Sequence, residues 1–250
     1  MIRINNNDFN ILELNKSATE TVVMIHGIFT NLSVFYFSVA HELAKKYHVV
    51  LYDLKGHGLS ETACSGYDLQ SASKDLLGIL YELHIRKAHL TGYSYGGLIA
   101  LYMAVYYPET VDKLIIIETP NLNDGQSRPL LEGYNKLFLD RYLAGLSVST
   151  HMIPSQRKID KIHRQVQYLF EHTTLKEDLR RDLDLFDKIA ENNPVTNETL
   201  LLYATQTECA NAAAFLHQHI KKSSLYYGKG DHSIPVQNPE WLVDKIIKFL

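Results

Sequence analysis

A serine set between two glycines, Gly92-Tyr93-Ser94-Tyr95-Gly96, directly follows the short apolar run Ala88-His89-Leu90-Thr91 and precedes a segment rich in Ala, Leu and Met. This order dictates a turn from strand to helix so sharp that a side chain two residues either side of the serine has no room. The strain at its centre lifts the serine hydroxyl above the sheet edge. Five residues of this kind recur by chance, so the weight of the motif rests on a strand before it, a helix after it and partners elsewhere.

The rest of the chain supplies that context. Short β-branched or aromatic runs alternate with helical patterns, the sequence form of a mostly parallel sheet with crossover helices. Strands are expected at Thr21–Ile25, Tyr47–Tyr52, Ala88–Thr91, Leu114–Ile117, Thr199–Tyr203 and Ser224–Tyr227. Helices are expected over Phe35–Lys46, where the pattern is amphipathic, and Tyr67–Leu83, where apolar residues recur at helical spacing. Another should run from Gly97 to Tyr107 and end where Pro108 forbids continuation, and the last over Trp241–Leu250. Between Asn121 and Asn197 no strand is expected, but helical stretches fall at Leu130–Leu143, Ser155–Glu171 and Leu175–Ala190. An insertion of that length between two strands of one sheet reads as a helical lid over a substrate pocket. The chain therefore divides into a core, residues 1–120 and 198–250, and a lid, residues 121–197; a helical subdomain used for dimerisation is the alternative.

Composition excludes several classes of function. The 250 residues carry a formal charge of −3, which offers no basic surface for nucleic acid. No apolar run is long enough to span a membrane, and Met1–Asp8 has neither the apolar region nor the cleavage site of a secretory leader, so a cytoplasmic protein is expected. Cys64 and Cys209 form no CxxC and no metal-type spacing, so no metal, cofactor or disulfide is expected.

Four landmarks in order resemble the α/β-hydrolase superfamily, and the resemblance runs over nearly the whole chain. His26-Gly27-Ile28-Phe29 is similar to the family's HG loop, and Asp53-Leu54-Lys55-Gly56-His57-Gly58-Leu59-Ser60 to its D-x-x-G-x-G-x-S loop. The serine elbow follows, and Gly230-Asp231-His232 lies between the last strand and the terminal helix, where such proteins keep a catalytic histidine. The resemblance implies an α/β-hydrolase fold of the serine-nucleophile branch. Aspartate-nucleophile members, such as haloalkane dehalogenases and epoxide hydrolases, carry Asp where this chain has Ser94.

Chemistry distributes the roles. A serine hydroxyl is a weak nucleophile at neutral pH and needs a base to take its proton as it attacks an acyl carbon. His232 is the candidate, because imidazole accepts and returns a proton near pH 7 and because His217 and His219 fall on an expected helix instead. The oxyanion needs preorganised donors. One is the amide of Tyr95, and the second comes from the HG loop, Ile28 with Phe29 as alternative. His26 is expected to bond that loop rather than to act as a second base.

The acid departs from the family pattern. The resemblance implies G-x-x-D after the strand Thr199–Tyr203, but the stretch is Ala204-Thr205-Gln206-Thr207-Glu208, with threonine at the expected place. Glu208, one residue on, is the first candidate, Glu118 at the end of the strand Leu114–Ile117 the second and Asp124 the third. Asp231, adjacent to His232, is poorly placed to orient it. Tyr93, Tyr95, Tyr134, Tyr142 and Phe29 are candidates for an aromatic substrate pocket. The expected activity is cleavage of a small acyl substrate, a carboxylic ester or thioester, by a monomer or homodimer. C–C bond hydrolysis, lactone opening, or a lyase or cyclase reaction on the same residues is an alternative. A ligand-binding protein that keeps the fold without turnover is another.

Overall fold

The N-terminal sequence Ile2-Arg3-Ile4-Asn5-Asn6-Asn7-Asp8-Phe9 folds as a hairpin, where no strand is expected from the sequence pattern. Strand β1 (Ile2–Ile4) pairs antiparallel with β2 (Asn7–Phe9) through a two-residue turn, and Asn5 and Asn6 both take positive φ, +48° and +67°. Such a turn requires left-handed backbone at both central positions, and asparagine tolerates it. The computed structural model describes residues 1–124, 156–192 and 194–250.

After the hairpin comes a seven-stranded sheet. It contains β3 (Ile11–Leu14), β4 (Thr21–Ile25), β5 (His48–Tyr52), β6 (Ala88–Tyr93), β7 (Val111–Ile117), β8 (Thr199–Ala204) and β9 (Ser223–Gly228), in the spatial order β3-β5-β4-β6-β7-β8-β9. Only the β3–β5 pair is antiparallel. Every residue of β4, β5, β6 and β8 is buried, as expected of parallel strands covered by helices on both faces. The six strands expected from sequence are β4 to β9; β3 joins the two N-terminal strands as elements the sequence pattern did not separate from loop.

The chain order places helices on the two faces. Helical turns α1 (Ser33–Phe35) and α2 (His41–Leu43) flank a π-helical segment, and α3 (Leu69–Glu82) starts at Asp68, whose side chain accepts a hydrogen bond from the Ser71 amide. Helix α4 (Tyr95–Tyr106) begins directly after Ser94 and is buried along most of its length. Beyond β7 the described residues form α5 (Gln156–His172), α6 (Leu175–Arg181) and α7 (Leu185–Asn192). The single helix expected over Leu175–Ala190 is thus two. Asp182 sits at the break, and its carboxyl accepts from the Leu69 amide at 2.9 Å, while Asp178 accepts from the Tyr67 amide at 2.9 Å. These bonds satisfy amides around the start of α3 and pin α6 to the core loops. The helix expected at Leu130–Leu143, with Tyr134 and Tyr142, lies outside the described residues. Helix α8 (Ala210–His219), the turn α9 (Ile234–Gln237) and α10 (Pro239–Phe249) complete the fold. No described helix is long and apolar enough to cross a membrane.

Candidate active site

Parallel pairing aligns the C-terminal ends of the strands, so the loops that leave β4, β6, β7, β8 and β9 meet along one edge of the sheet. Gly92 pairs with Ile25, Tyr93 with Ile117, Ile117 with Leu202 and Ala204 with Gly228. Residues next after these in sequence are the ones that gather.

Ser94 has φ +53° and ψ −120°, outside every comfortable region for a residue with a Cβ. Such strain costs on the order of 1–3 kcal/mol and persists only where packing enforces it. The packing is tight on both sides: a Cβ on Gly92 would lie 2.3 Å from the Gly96 carbonyl oxygen, and one on Gly96 would lie 2.2 Å from the Ile25 carbonyl oxygen. Both glycines are therefore obligatory. The Ser94 amide donates to the Ile117 carbonyl at 2.8 Å, which holds the elbow to the end of β7. Tyr95 opens α4, so its amide has no acceptor within the helix and faces outward from the helix start.

His232, in the turn after β9, meets the serine. Its Nε2 accepts the Ser94 hydroxyl at 3.1 Å, and its Nδ1 donates to Glu118 Oε2 at 3.3 Å. A carboxylate is an acceptor, so the Glu118 contact assigns the proton to Nδ1 and leaves Nε2 free to accept. Burial opposes a charge on this ring, but the Cys209 sulfur and the Glu118 carboxyl outweigh it and hold its pKa above the ordinary histidine value. The Tyr93 hydroxyl donates to the His232 carbonyl oxygen at 2.8 Å, so the loop that carries the imidazole is tied to the elbow strand.

Glu118 is fully buried at the end of β7 and has φ +49°, which turns its side chain out of the strand direction and across β8. Its Oε1 accepts from the Ala204 amide at 2.5 Å and its Oε2 from the Thr207 hydroxyl at 2.6 Å. The carboxyl that meets His232 is therefore Glu118. Glu208 is exposed, and Asp124 accepts instead from the Asn211 side chain at 3.1 Å. Asp231 turns into its own loop and accepts from the Ser233 amide at 2.8 Å. Thr207 stands where an aspartate was expected, and its hydroxyl donates to the Glu118 carboxyl.

The HG loop closes the other side. A Cβ on Gly27 would fall 2.9 Å from the Ser94 Cβ, so this loop passes directly against the serine, and Ile28 and Phe29 follow it. Phe29 takes φ +71°, and its ring lies 5.8 Å from that of Phe170 on α5. His26 has no exposure at all; its Nδ1 donates to the Gly27 carbonyl at 2.7 Å and its Nε2 accepts from the Leu54 amide at 2.9 Å. Burial, helped by the neighbouring His57, pushes its pKa down to about 3. It is a neutral clamp that fastens the HG loop to the loop after β5.

Tyr93 and Tyr95, two of the tyrosines expected in a substrate pocket, are buried beside the site. Tyr93 is 1% exposed, and Tyr95 is 6% exposed with its hydroxyl donated to the Tyr67 carbonyl at 2.6 Å. Each side chain alternates inward at the elbow and is spent on anchoring. One neighbour was missed: the Cys209 sulfur lies 3.9 Å from His232 Nδ1, and nothing in a sequence spacing of 23 residues announces it.

A profile of the alpha/beta hydrolase fold matches residues 20–246. The chain belongs to the α/β-hydrolase family. Among curated members it is 26% identical to a putative carbamate hydrolase of Yersinia enterocolitica, over 97% of this chain and 91% of that protein. To 3-oxoadipate enol-lactonase 2 of Acinetobacter baylyi it is 32% identical over 98 residues, 39% of this chain and 36% of that protein. The chain spans between a third and half of the length of several curated relatives it matches, down to 33% of an acetyltransferase component from Pseudomonas putida. A solved meta-cleavage product hydrolase from Pseudomonas fluorescens superposes with TM-score 0.78 at 17% identity, covering 98% of this chain and 94% of that one. At such identity the likeness establishes the α/β-hydrolase architecture.

Proposed function

We propose that this α/β-hydrolase is a serine hydrolase that cleaves a small carboxylic ester or thioester through an acyl-enzyme. The observation that carries the reading is the continuous chain of contacts from Glu118 through His232 to Ser94, 3.3 Å and then 3.1 Å, with both ring nitrogens in use. Ser94 Oγ attacks the acyl carbon while His232 Nε2 takes its proton. The carbonyl oxygen becomes an oxyanion held by the amides of Tyr95 and of Ile28 or Phe29. His232 then returns the proton to the departing alcohol or thiol, and a water activated by the same imidazole releases the acid and restores the serine. Glu118 fixes the tautomer and stabilises the imidazolium; it touches no substrate and acts by positioning. The helices over 156–192, as part of residues 121–197, serve as the lid, with Phe29 beneath it against the acyl group. Names among the relatives range over a carbamate, an enol-lactone and a meta-cleavage product, and a nucleophile aimed at an activated carbonyl suits all three.

A fluorophosphonate probe tests the reading, because it bonds covalently only to an activated serine. Labelling of the wild-type protein is expected, with complete loss in Ser94→Ala and a fall of about 10³-fold or more in His232→Ala. Correctly folded protein that takes no label would sink the hydrolase reading and leave the ligand-binding one. A panel of acyl esters and thioesters of rising chain length then reads the substrate class.

A further inference from the structure

The proposed reaction has no use for Cys209, yet its thiol stands against the two residues that support the serine. Cys209 is a free, buried cysteine at the start of α8, with its sulfur 3.9 Å from His232 Nδ1 and 3.7 Å from the Glu118 carbonyl oxygen. A Glu118 carboxyl oxygen, the Cys209 sulfur and His232 Nδ1 all lie within 4.8 Å of one another. Oxygen, thiolate sulfur and imidazole nitrogen are the donor set that Zn²⁺ favours, with bonds of about 2.0–2.3 Å in a tetrahedron. Two such ligands stand about 3.3–3.6 Å apart. The Nδ1 to Oε2 separation is already 3.3 Å, and the sulfur, 3.9 Å from Nδ1 and within 4.8 Å of a carboxyl oxygen, has to close by a few tenths of an ångström on the ring and by up to about an ångström on the carboxyl.

We propose that Glu118, Cys209 and His232 form an inhibitory binding site for a thiophilic divalent cation of the Zn²⁺ class, with water in the fourth position. The inference rests on the serine-hydrolase reading for its consequence but not for its geometry. A metal on Nδ1 takes the place of the proton that Glu118 holds there. The proton that the neutral ring keeps must then sit on Nε2, where it points at Ser94 Oγ and cannot accept from it. The imidazole stays in place but stops being a base. The thiol proton of Cys209 passes to solvent as the sulfur ligates, and a His232 ring in its charged form gives up its extra proton as well, so binding releases protons and weakens as pH falls. The His232 side chain is 28% exposed, which gives the cation a way in.

Two measurements on the metal-free full chain test the site. In the first, Co²⁺ is added to the wild-type protein and to Cys209→Ala, and the thiolate-to-cobalt absorption band is read; it is expected in the first and absent in the second. This readout needs no turnover, so it stands or falls apart from the hydrolase reading. In the second, hydrolysis of a p-nitrophenyl ester is titrated with ZnCl₂, each variant scaled to its own metal-free rate. Cys209→Ala is expected to raise the inhibitory concentration by at least about tenfold, the low end of what even an outer-shell change costs a metal site, while MgCl₂ leaves both proteins unaffected. Absence of the cobalt–thiolate band in the wild type overturns the site. A band with equal zinc inhibition in both variants overturns the inhibitory role. A band in a protein with no Ser94-dependent hydrolysis upholds the site and removes the hydrolase reading instead.

Discussion

His26 and His232 sit on opposite sides of Ser94, each with both ring nitrogens bonded, and they are electrostatic opposites. His26 has only uncharged partners, the Gly27 carbonyl, the Leu54 amide and the Thr30 hydroxyl, with no exposure and a second histidine nearby, so its pKa falls to about 3 and it stays neutral. His232 keeps some exposure and faces Glu118, so its pKa rises. One residue type is thus a neutral clamp where its partners are neutral and, on the proposed mechanism, a proton carrier where a carboxyl backs it. The stability linkages also run in opposite directions. His26 contributes above its ordinary value near 6.5 and loses its contribution as pH falls from there toward 3. The His232 pair contributes fully below about 6.5 and loses its contribution as pH rises through the raised value.

The largest expected effect comes from removing the carboxyl that separates the two. Glu118→Gln keeps the shape but frees the ring to adopt the wrong tautomer, and kcat for a p-nitrophenyl ester should fall by about 10⁴-fold. On the proposed mechanism Ser94 attacks only while His232 is neutral, so kcat/KM of the wild type should rise with pH and level off above the His232 pKa. The same substitution should move that rising limb to lower pH, since the group that raises the pKa is gone. Glu208→Gln should leave both the rate and the limb where they are. A pH–rate profile of the two variants decides, and a collapse in Glu208→Gln with an intact Glu118→Gln would reverse the assignment.

Why sequence reasoning ranked these two acids in the other order is a physical matter. Ser94, His232 and the HG loop each sit directly after a strand, so their meeting follows from strand order alone. Glu118 also ends a strand, but its reach across β8 depends on a positive φ and on the Ala204 amide and Thr207 hydroxyl that receive it. Neither the backbone turn nor the Ala204 amide leaves a mark in a single sequence. Thr207 in an aspartate's place was such a mark, but it spoke only of what was missing. The burial of the tyrosines was no more legible: Tyr93 and Tyr95 flank Ser94 in sequence, and the elbow turns both inward. The β1–β2 hairpin was hidden by its polar turn, and Cys209 by its distance along the chain.

The next effect should appear in stability first. His26→Gln disturbs two buried bonds, and leaving the Leu54 amide or the Gly27 carbonyl unmatched costs about 1–3 kcal/mol. Urea unfolding at neutral pH should show that loss, with kcat/KM reduced far less than by Glu118→Gln. The acid side of the stability curve carries the sharper sign. Because His26 must be neutral to fold, its removal should flatten the fall in stability between about pH 6 and pH 4 by up to about 1.4 kcal/mol per pH unit. An unchanged slope would mean that the clamp titrates as in the unfolded chain, and the contrast with His232 would lose one of its halves.

The smallest effect asks whether polar support matters on the His232 side as it does on the other. Thr207→Val keeps the volume and removes the hydroxyl that donates to Glu118 Oε2 at 2.6 Å and accepts from the Cys209 amide at 2.9 Å. A single such bond is worth about 1 kcal/mol net, so kcat/KM should fall about five- to tenfold with KM little altered. Thr207→Ser, which restores the hydroxyl, should recover most of the rate. If Val and Ser variants lose the same amount, the methyl rather than the hydroxyl matters there, and Glu118 is oriented by the Ala204 amide and its own backbone turn alone.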